Sequence, residues 1–134
     1  MSFREKSAWV MEFVVLATGL FYADLIIGAP DAPFIGPLIP YVLAVIVLSI
    51  VVQTVLGIAS PREANAPADE RERMAIDRAG HWSGTVLGLG VITAVGFYAA
   101  GADGTLLAHM VVGALILSAL AEYALQIVFF RTAI

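Results

Sequence analysis

The sequence predicts an all-α integral membrane protein: one bundle of four transmembrane helices, with a short cytoplasmic helix between the second and third spans. Hydrophobic residues make up 60% of the 134 residues and charged residues only 13%, whereas a soluble domain carries roughly a quarter charged residues. The apolar residues also form four long continuous runs, and a membrane-spanning helix needs about 20 such residues. This composition excludes a soluble enzyme domain, a direct nucleic-acid binder and a disordered tail.

The four apolar runs define one membrane domain over residues 1–134. The spans are expected at about 8–28, 37–59, 80–101 and 105–130, and the polar residues 60–79 form the loop between the second and third spans. The turn at 101–104 is too short for any arrangement except antiparallel neighbours. We expect Asp103 in this turn to cap the fourth helix, since an aspartate side chain accepts hydrogen bonds from free backbone N–H groups.

The basic residues predict the orientation of the chain. All seven lysines and arginines fall on one side of the four predicted spans, and such residues stay in the cytoplasm. Both termini and the loop 60–79 are therefore expected to be cytoplasmic. The seven residues are Arg4, Lys6, Arg62, Arg71, Arg73, Arg78 and Arg131.

No residue pattern predicts catalysis or a cofactor. The chain has no cysteine, which excludes disulfides, zinc–cysteine sites and iron–sulfur clusters. Its two histidines, His81 and His109, are expected at opposite membrane faces and cannot both ligate one haem. No catalytic or phosphate-binding motif is present. We therefore expect no enzyme activity, no cofactor and no metal.

Polar side chains inside the predicted spans form two layers when depth is taken from a rise of about 1.5 Å per residue. Glu12, Gln53 and Glu122 lie in the layer nearer the cytoplasm, and Asp24 and His109 lie in the outer layer. Ionisable groups at membrane depth are costly and often functional. Two interpretations stay open for these residues: a structural role through hydrogen bonds or interfacial solvation, and proton transfer by the carboxylates.

A stripe of small residues is the clearest packing signal. Gly80, Gly84 and Gly88 are spaced by four along the third span, and Gly96 continues the same face after Ile92. Small residues at this spacing let helix backbones approach closely in lipid. The stripe favours packing within the chain, and the alternative is a seam between two copies.

The charged part of the loop is a candidate partner-binding surface. Its first half, 60–67, reads as a linker. Its second half reads as a helix that no proline separates from the third span, so that it can continue straight into that span, with Gly80 as the expected hinge. Asp69 and Arg73 have the spacing of an exposed ion pair. The alternative is that these charges are only a solvated topology signal. The candidate residues are Asp69, Glu70, Arg71, Glu72, Arg73, Asp77 and Arg78.

Two short motifs carry a resemblance to a known family. The loop reads Asp-Glu-Arg-Glu-Arg at 69–73, followed by Asp77 and Arg78, and the chain begins Ser-Phe-Arg-Glu-Lys-Ser-Ala-Trp at 2–9. It resembles small prokaryotic four-span membrane proteins with an Asp-Glu-Arg-x-Arg loop, although that family continues with Arg and Tyr where this chain has Ala-Gly-His-Trp at 79–82. Some members are encoded beside helix-turn-helix regulators. The resemblance implies a multi-pass inner-membrane protein with a cytoplasmic regulatory partner.

These observations favour a membrane-anchored binding or regulatory protein that presents the charged loop to a soluble partner. The alternative is a small proton-coupled transporter or channel, dimeric, that uses intramembrane carboxylates such as Glu12 and Glu122. A third hypothesis is an outer-face sensor or cofactor binder built on Asp24 and His109. The expected partners are the lipid bilayer, a cytoplasmic protein and a second copy of the chain.

Overall fold

The computed structural model describes residues 2–132, which are almost entirely helical. The elements are α1 (Phe3–Gly28), α2 (Ile35–Ala59), α3 (Pro61–Asn65), α4 (Glu70–Ala99) and α5 (Gly104–Arg131). All except the five-residue α3 are long and apolar enough to cross a membrane. The all-helical fold with four candidate spans is therefore confirmed.

The long helices pack in an order that differs from their order in the chain. Extended contacts join α2 to α1, α1 to α5, and α5 to α4, while α3 lies against α2 and α1. The prediction that the third and fourth spans are neighbours is correct. Because α2 and α4 each have a single long neighbour, much of their surface faces outward.

Polar side chains define where three of the long helices begin. The Ser2 hydroxyl accepts a hydrogen bond from the backbone N–H of Glu5 at the start of α1. Asp69 caps α4 and forms a capping box with Glu72. Asp103 accepts from the N–H of Leu106 and caps α5, as predicted. Each cap gives a partner to backbone N–H groups that a helix terminus otherwise leaves free.

The loop between the second and third spans differs from its prediction in three ways. The expected linker contains α3, which Pro61 begins at a position where proline is favourable. The expected hinge at Gly80 is wrong, because α4 runs through this residue without a break. A glycine costs a helix only about 1 kcal/mol, which the buried Ala75 and Ala79 on the same helix offset by packing. Asp69 serves as the cap rather than as an ion-pair partner.

Small residues bring the helix backbones close together. A Cβ atom added to Gly90 on α4 would lie 2.6 Å from the Cβ of Ala114 on α5, so only glycine fits there. The Ser118 hydroxyl donates to the Ser83 carbonyl at 2.9 Å and adds a hydrogen bond between the same two helices. The buried apolar residues are Ala8, Val14, Tyr22, Ala75, Ala79, Ala94, Val112, Ala114 and Ile127.

Candidate functional site

Ion pairs connect three helix ends at one end of the bundle, which we call the basic end because the lysines and arginines gather there. Arg4 near the start of α1 pairs with Glu72 near the start of α4 at 3.3 Å, and its guanidinium also donates to the carbonyl of Ala66. Arg131 at the end of α5 pairs with the nearly buried Glu5 at 3.3 Å. These contacts hold the start of α1 against the loop and against the end of α5.

Two arginines of the loop contact α5 directly. Arg71 donates to the carbonyls of Phe130 and Thr132 at 2.9 and 3.1 Å. The last carbonyls of a helix have no partner within the helix, and a cation is favourable beside them. The Arg78 guanidinium lies 5.6 Å from the centre of the Phe129 ring. Both arginines therefore stabilise the packing of α4 on α5.

The structure divides the seven predicted loop residues into two groups. Four of them hold the fold together: Asp69, Glu72, Arg71 and Arg78. The other three, Glu70, Arg73 and Asp77, are exposed and share one helix face with Met74, whose exposed fraction is 46%. We call these four residues, Glu70, Arg73, Met74 and Asp77, the exposed α4 surface.

This surface stands on a part of α4 that is longer than a membrane requires. A helix of 30 residues is about 45 Å long, whereas the hydrocarbon core of a bilayer is about 30 Å thick. α4 is therefore about 15 Å longer than the hydrocarbon core, and its polar residues 70–78 lie at the basic end. Because this part is capped by Asp69 and attached to α5 by Arg71, it is a rigid platform.

The inner polar layer is only partly assembled. Glu12 on α1 and Glu122 on α5 are both half-buried. Among residues 2–132, the Oε2 atom of Glu12 is the single buried side-chain polar atom without a hydrogen-bond partner. Gln53 belongs to a separate contact, since its amide donates to the Ser7 hydroxyl at 2.9 Å and connects α2 to α1.

At the opposite end of the bundle, His109 belongs to an aromatic cluster. The Tyr22 hydroxyl lies 2.6 Å from His109 Nδ1. The ring of Tyr41 on α2 is 5.0 Å from that of Tyr22, and the ring of Phe34 is 5.4 Å from His109. Asp24, predicted in the same outer layer as His109, is exposed. The cluster joins α1, α2 and α5.

Sequence reasoning did not identify Tyr22 as the partner of His109. Tyr22 is only 3% exposed, although a tyrosine near the end of a span usually lies in the headgroup region. Its spacing of four from the buried Thr18 and Val14 is the signal that places it on the packed face of α1.

No family model, no curated protein and no solved structure matches this chain. The function is therefore inferred from the geometry of the chain itself.

Proposed function

We propose that this chain is a membrane-anchored binding protein of regulatory type that presents the exposed α4 surface to a partner protein. The observation that carries the proposal is that α4 runs as one unbroken helix from the polar residues 70–78 into an apolar candidate span, with Ala75 and Ala79 buried on one side. Glu70, Arg73 and Asp77 remain exposed on the other side. A rigid surface loses little conformational entropy when a partner binds.

The proposed location of this surface is the cytoplasmic side of a prokaryotic inner membrane. Arg4, Arg71 and Arg131 meet at one end of the bundle through their contacts with Glu72, Phe130 and Glu5. Basic residues are retained on the cytoplasmic side during membrane insertion. Both described termini then lie in the cytoplasm together with α3.

The pattern of the exposed α4 surface suits protein recognition. Charges of both signs surround Met74, an exposed apolar side chain that can be buried by a partner. Complementary charges around an apolar contact set the register and specificity of an interface. We therefore expect the partner to present charges of both signs beside an apolar contact.

Site-specific photocrosslinking tests this proposal. Met74 is replaced with benzoylphenylalanine, and membranes of cells that produce the variant are irradiated. We expect a covalent adduct with a protein, and we expect Arg73→Glu to abolish it. The same photoreactive residue at Arg62, which is exposed on α3 at the same end, is the matched control and should give no adduct. Equal labelling at both positions, or none at Met74, refutes the proposal.

A second candidate function is proton-coupled transport, which the unpartnered Oε2 atom of Glu12 favours. A carboxylate oxygen that has no hydrogen-bond partner inside the membrane can bind a proton. Proteoliposomes with an internal pH dye measure proton flux under an imposed membrane potential. The transport function predicts flux that Glu12→Gln and Glu122→Gln together abolish, while Glu63→Gln on exposed α3 leaves it unchanged. Flux that survives the double substitution excludes transport through these carboxylates.

A further inference from the structure

Within residues 2–132, no other part of the chain packs closely against the glycine stripe of α4. A Cβ atom added to Gly80, Gly84, Gly88 or Gly96 meets no atom within 4 Å, whereas one added to Gly90 would collide with Ala114. Glycine in a helix is destabilising by roughly 0.5–1 kcal/mol relative to alanine. Packing among residues 2–132 therefore accounts for Gly90 and leaves the four stripe positions without a contact.

Two exposed charges lie on either side of the line that the stripe defines. Successive residues of a helix are rotated by about 100° around its axis. Seen along α4, Arg73 therefore points about 20° to one side of Gly84, and Asp77 points about 20° to the other side. Both side chains are exposed. The ion pairs found within residues 2–132 join Arg4 with Glu72 and Arg131 with Glu5. Arg73 and Asp77 take part in neither.

A second copy of the chain would satisfy both features at once. Two copies inserted in the same orientation place their α4 helices parallel, and a two-fold axis brings the same patch of each together. We take Gly84 of both helices to point at the two-fold axis. A residue that is rotated to one side of Gly84 on one helix then faces the residue rotated by the same angle to the other side on the partner helix. Arg73 of each copy then faces Asp77 of the other, about 6 Å apart along the helix axis, which is within reach of an arginine side chain. Because of the two-fold symmetry, this Arg73–Asp77 ion pair forms twice in the dimer.

We propose that a second copy of this chain covers the α4 face formed by Arg73, Asp77, Gly84 and Gly88. This inference rests on the proposed function, since it names the partner of the exposed α4 surface. In the membrane the glycines allow the two backbones to approach closely. Beyond the membrane the two Arg73–Asp77 pairs set the register. A soluble protein could cover only the charged part of this face, whereas a second copy covers both parts.

Disulfide crosslinking tests the interface in native membranes, because the chain has no cysteine of its own. Val95 points about 20° from the direction of Gly84 and is 53% exposed, while Val42 near the same end of α2 is 40% exposed and is the matched control. Under oxidation we expect Val95→Cys to form a dimer at least about tenfold faster than Val42→Cys, as a close contact between two α4 helices requires.

Charge reversal with rescue tests the register of the interface. Arg73→Glu should weaken dimerisation of Val95→Cys about tenfold, which corresponds to about 1.4 kcal/mol, and adding Asp77→Arg should restore it. Gly84→Leu should also abolish the dimer without disturbing the monomer, since its Cβ meets no atom within 4 Å. Gly57→Leu on α2 is equally open and should leave crosslinking unchanged.

The outcomes separate this inference from the proposed function. Equal crosslinking at Val95→Cys and Val42→Cys, or failure of Asp77→Arg to rescue Arg73→Glu, overturns the second copy as the partner. If Met74 then forms an adduct with a different protein, the proposed function stands and the inference fails. If neither an adduct nor a dimer forms, both fail. A Met74 adduct with twice the mass of the chain supports both.

Discussion

At the residue scale, Arg71 and Arg73 show that two members of one sequence motif have unrelated roles. They point about 160° apart on α4, so that Arg71 reaches the carbonyls of Phe130 and Thr132 while Arg73 stays exposed. The sequence predicts the helical period, and hence that Arg71 and Arg73 point in different directions. It does not predict that Arg71 meets the end of α5, because nothing in the loop specifies which helix terminus lies beside this arginine.

Replacing Arg71 tests this division of roles. Arg71→Ala should lower the free energy of unfolding by about 1 kcal/mol, since two carbonyls at the end of α5 lose their charged donor. Arg73→Ala should leave the stability of the monomer unchanged. Thermal unfolding in detergent, at a concentration where the chain is monomeric, measures both. Equal stability of the two variants would contradict the role assigned to Arg71.

The pair of Tyr22 and His109 is a second case at this scale. Tyr22→Phe keeps the ring against Tyr41 but removes the hydroxyl that lies 2.6 Å from His109 Nδ1. The unfolding free energy should fall by about 1–2 kcal/mol, because the half-buried His109 is left without its hydrogen-bond partner. Tyr98→Phe is the control, since Tyr98 is 52% exposed. A loss of the same size for Tyr98→Phe would show that the hydrogen bond contributes nothing specific.

At the scale of elements, α4 shows which small residues serve packing inside the chain. The regular spacing of Gly80, Gly84 and Gly88 attracts attention in the sequence, yet the close approach to α5 occurs at Gly90. Gly88 and Gly90 point about 160° apart. The sequence predicts that α4 has a face of small residues, but lipid tails and neighbouring helices are equally apolar. Hydrophobicity therefore does not show which face meets α5.

Alanine substitutions separate the two kinds of glycine. Gly90→Ala should destabilise the monomer by about 1–3 kcal/mol, because the added methyl group would lie 2.6 Å from Ala114 and force the helices apart. Gly88→Ala should be neutral or stabilise the monomer by up to about 1 kcal/mol through its helix propensity. Unfolding of the dilute protein in detergent measures both. A destabilised Gly88→Ala monomer would place an unrecognised contact at the stripe.

At the scale of the whole molecule, the sequence predicts the number of long helices better than their full length or their packing order. The first and third spans are expected from about 8 and 80, and the helices that contain them begin earlier, α1 at Phe3 and α4 at Glu70. Apolar runs end where charges begin, but a helix continues as long as its backbone is satisfied and its termini are capped. The order α2, α1, α5, α4 depends on side-chain fit between apolar faces, which hydropathy does not encode.

The orientation of the whole molecule is tested by labelling single cysteines with a membrane-impermeant maleimide in intact cells. Arg62 on α3 lies at the basic end, and Asp31 lies in the loop between α1 and α2 at the opposite end; both are exposed. If the basic end is cytoplasmic, Asp31→Cys is labelled in intact cells and Arg62→Cys only after permeabilisation. The reverse pattern would place the exposed α4 surface outside the cell, where no cytoplasmic regulator could reach it. Dimerisation through Gly84 would be unaffected by that result, because two copies share their orientation whichever way the chain is inserted.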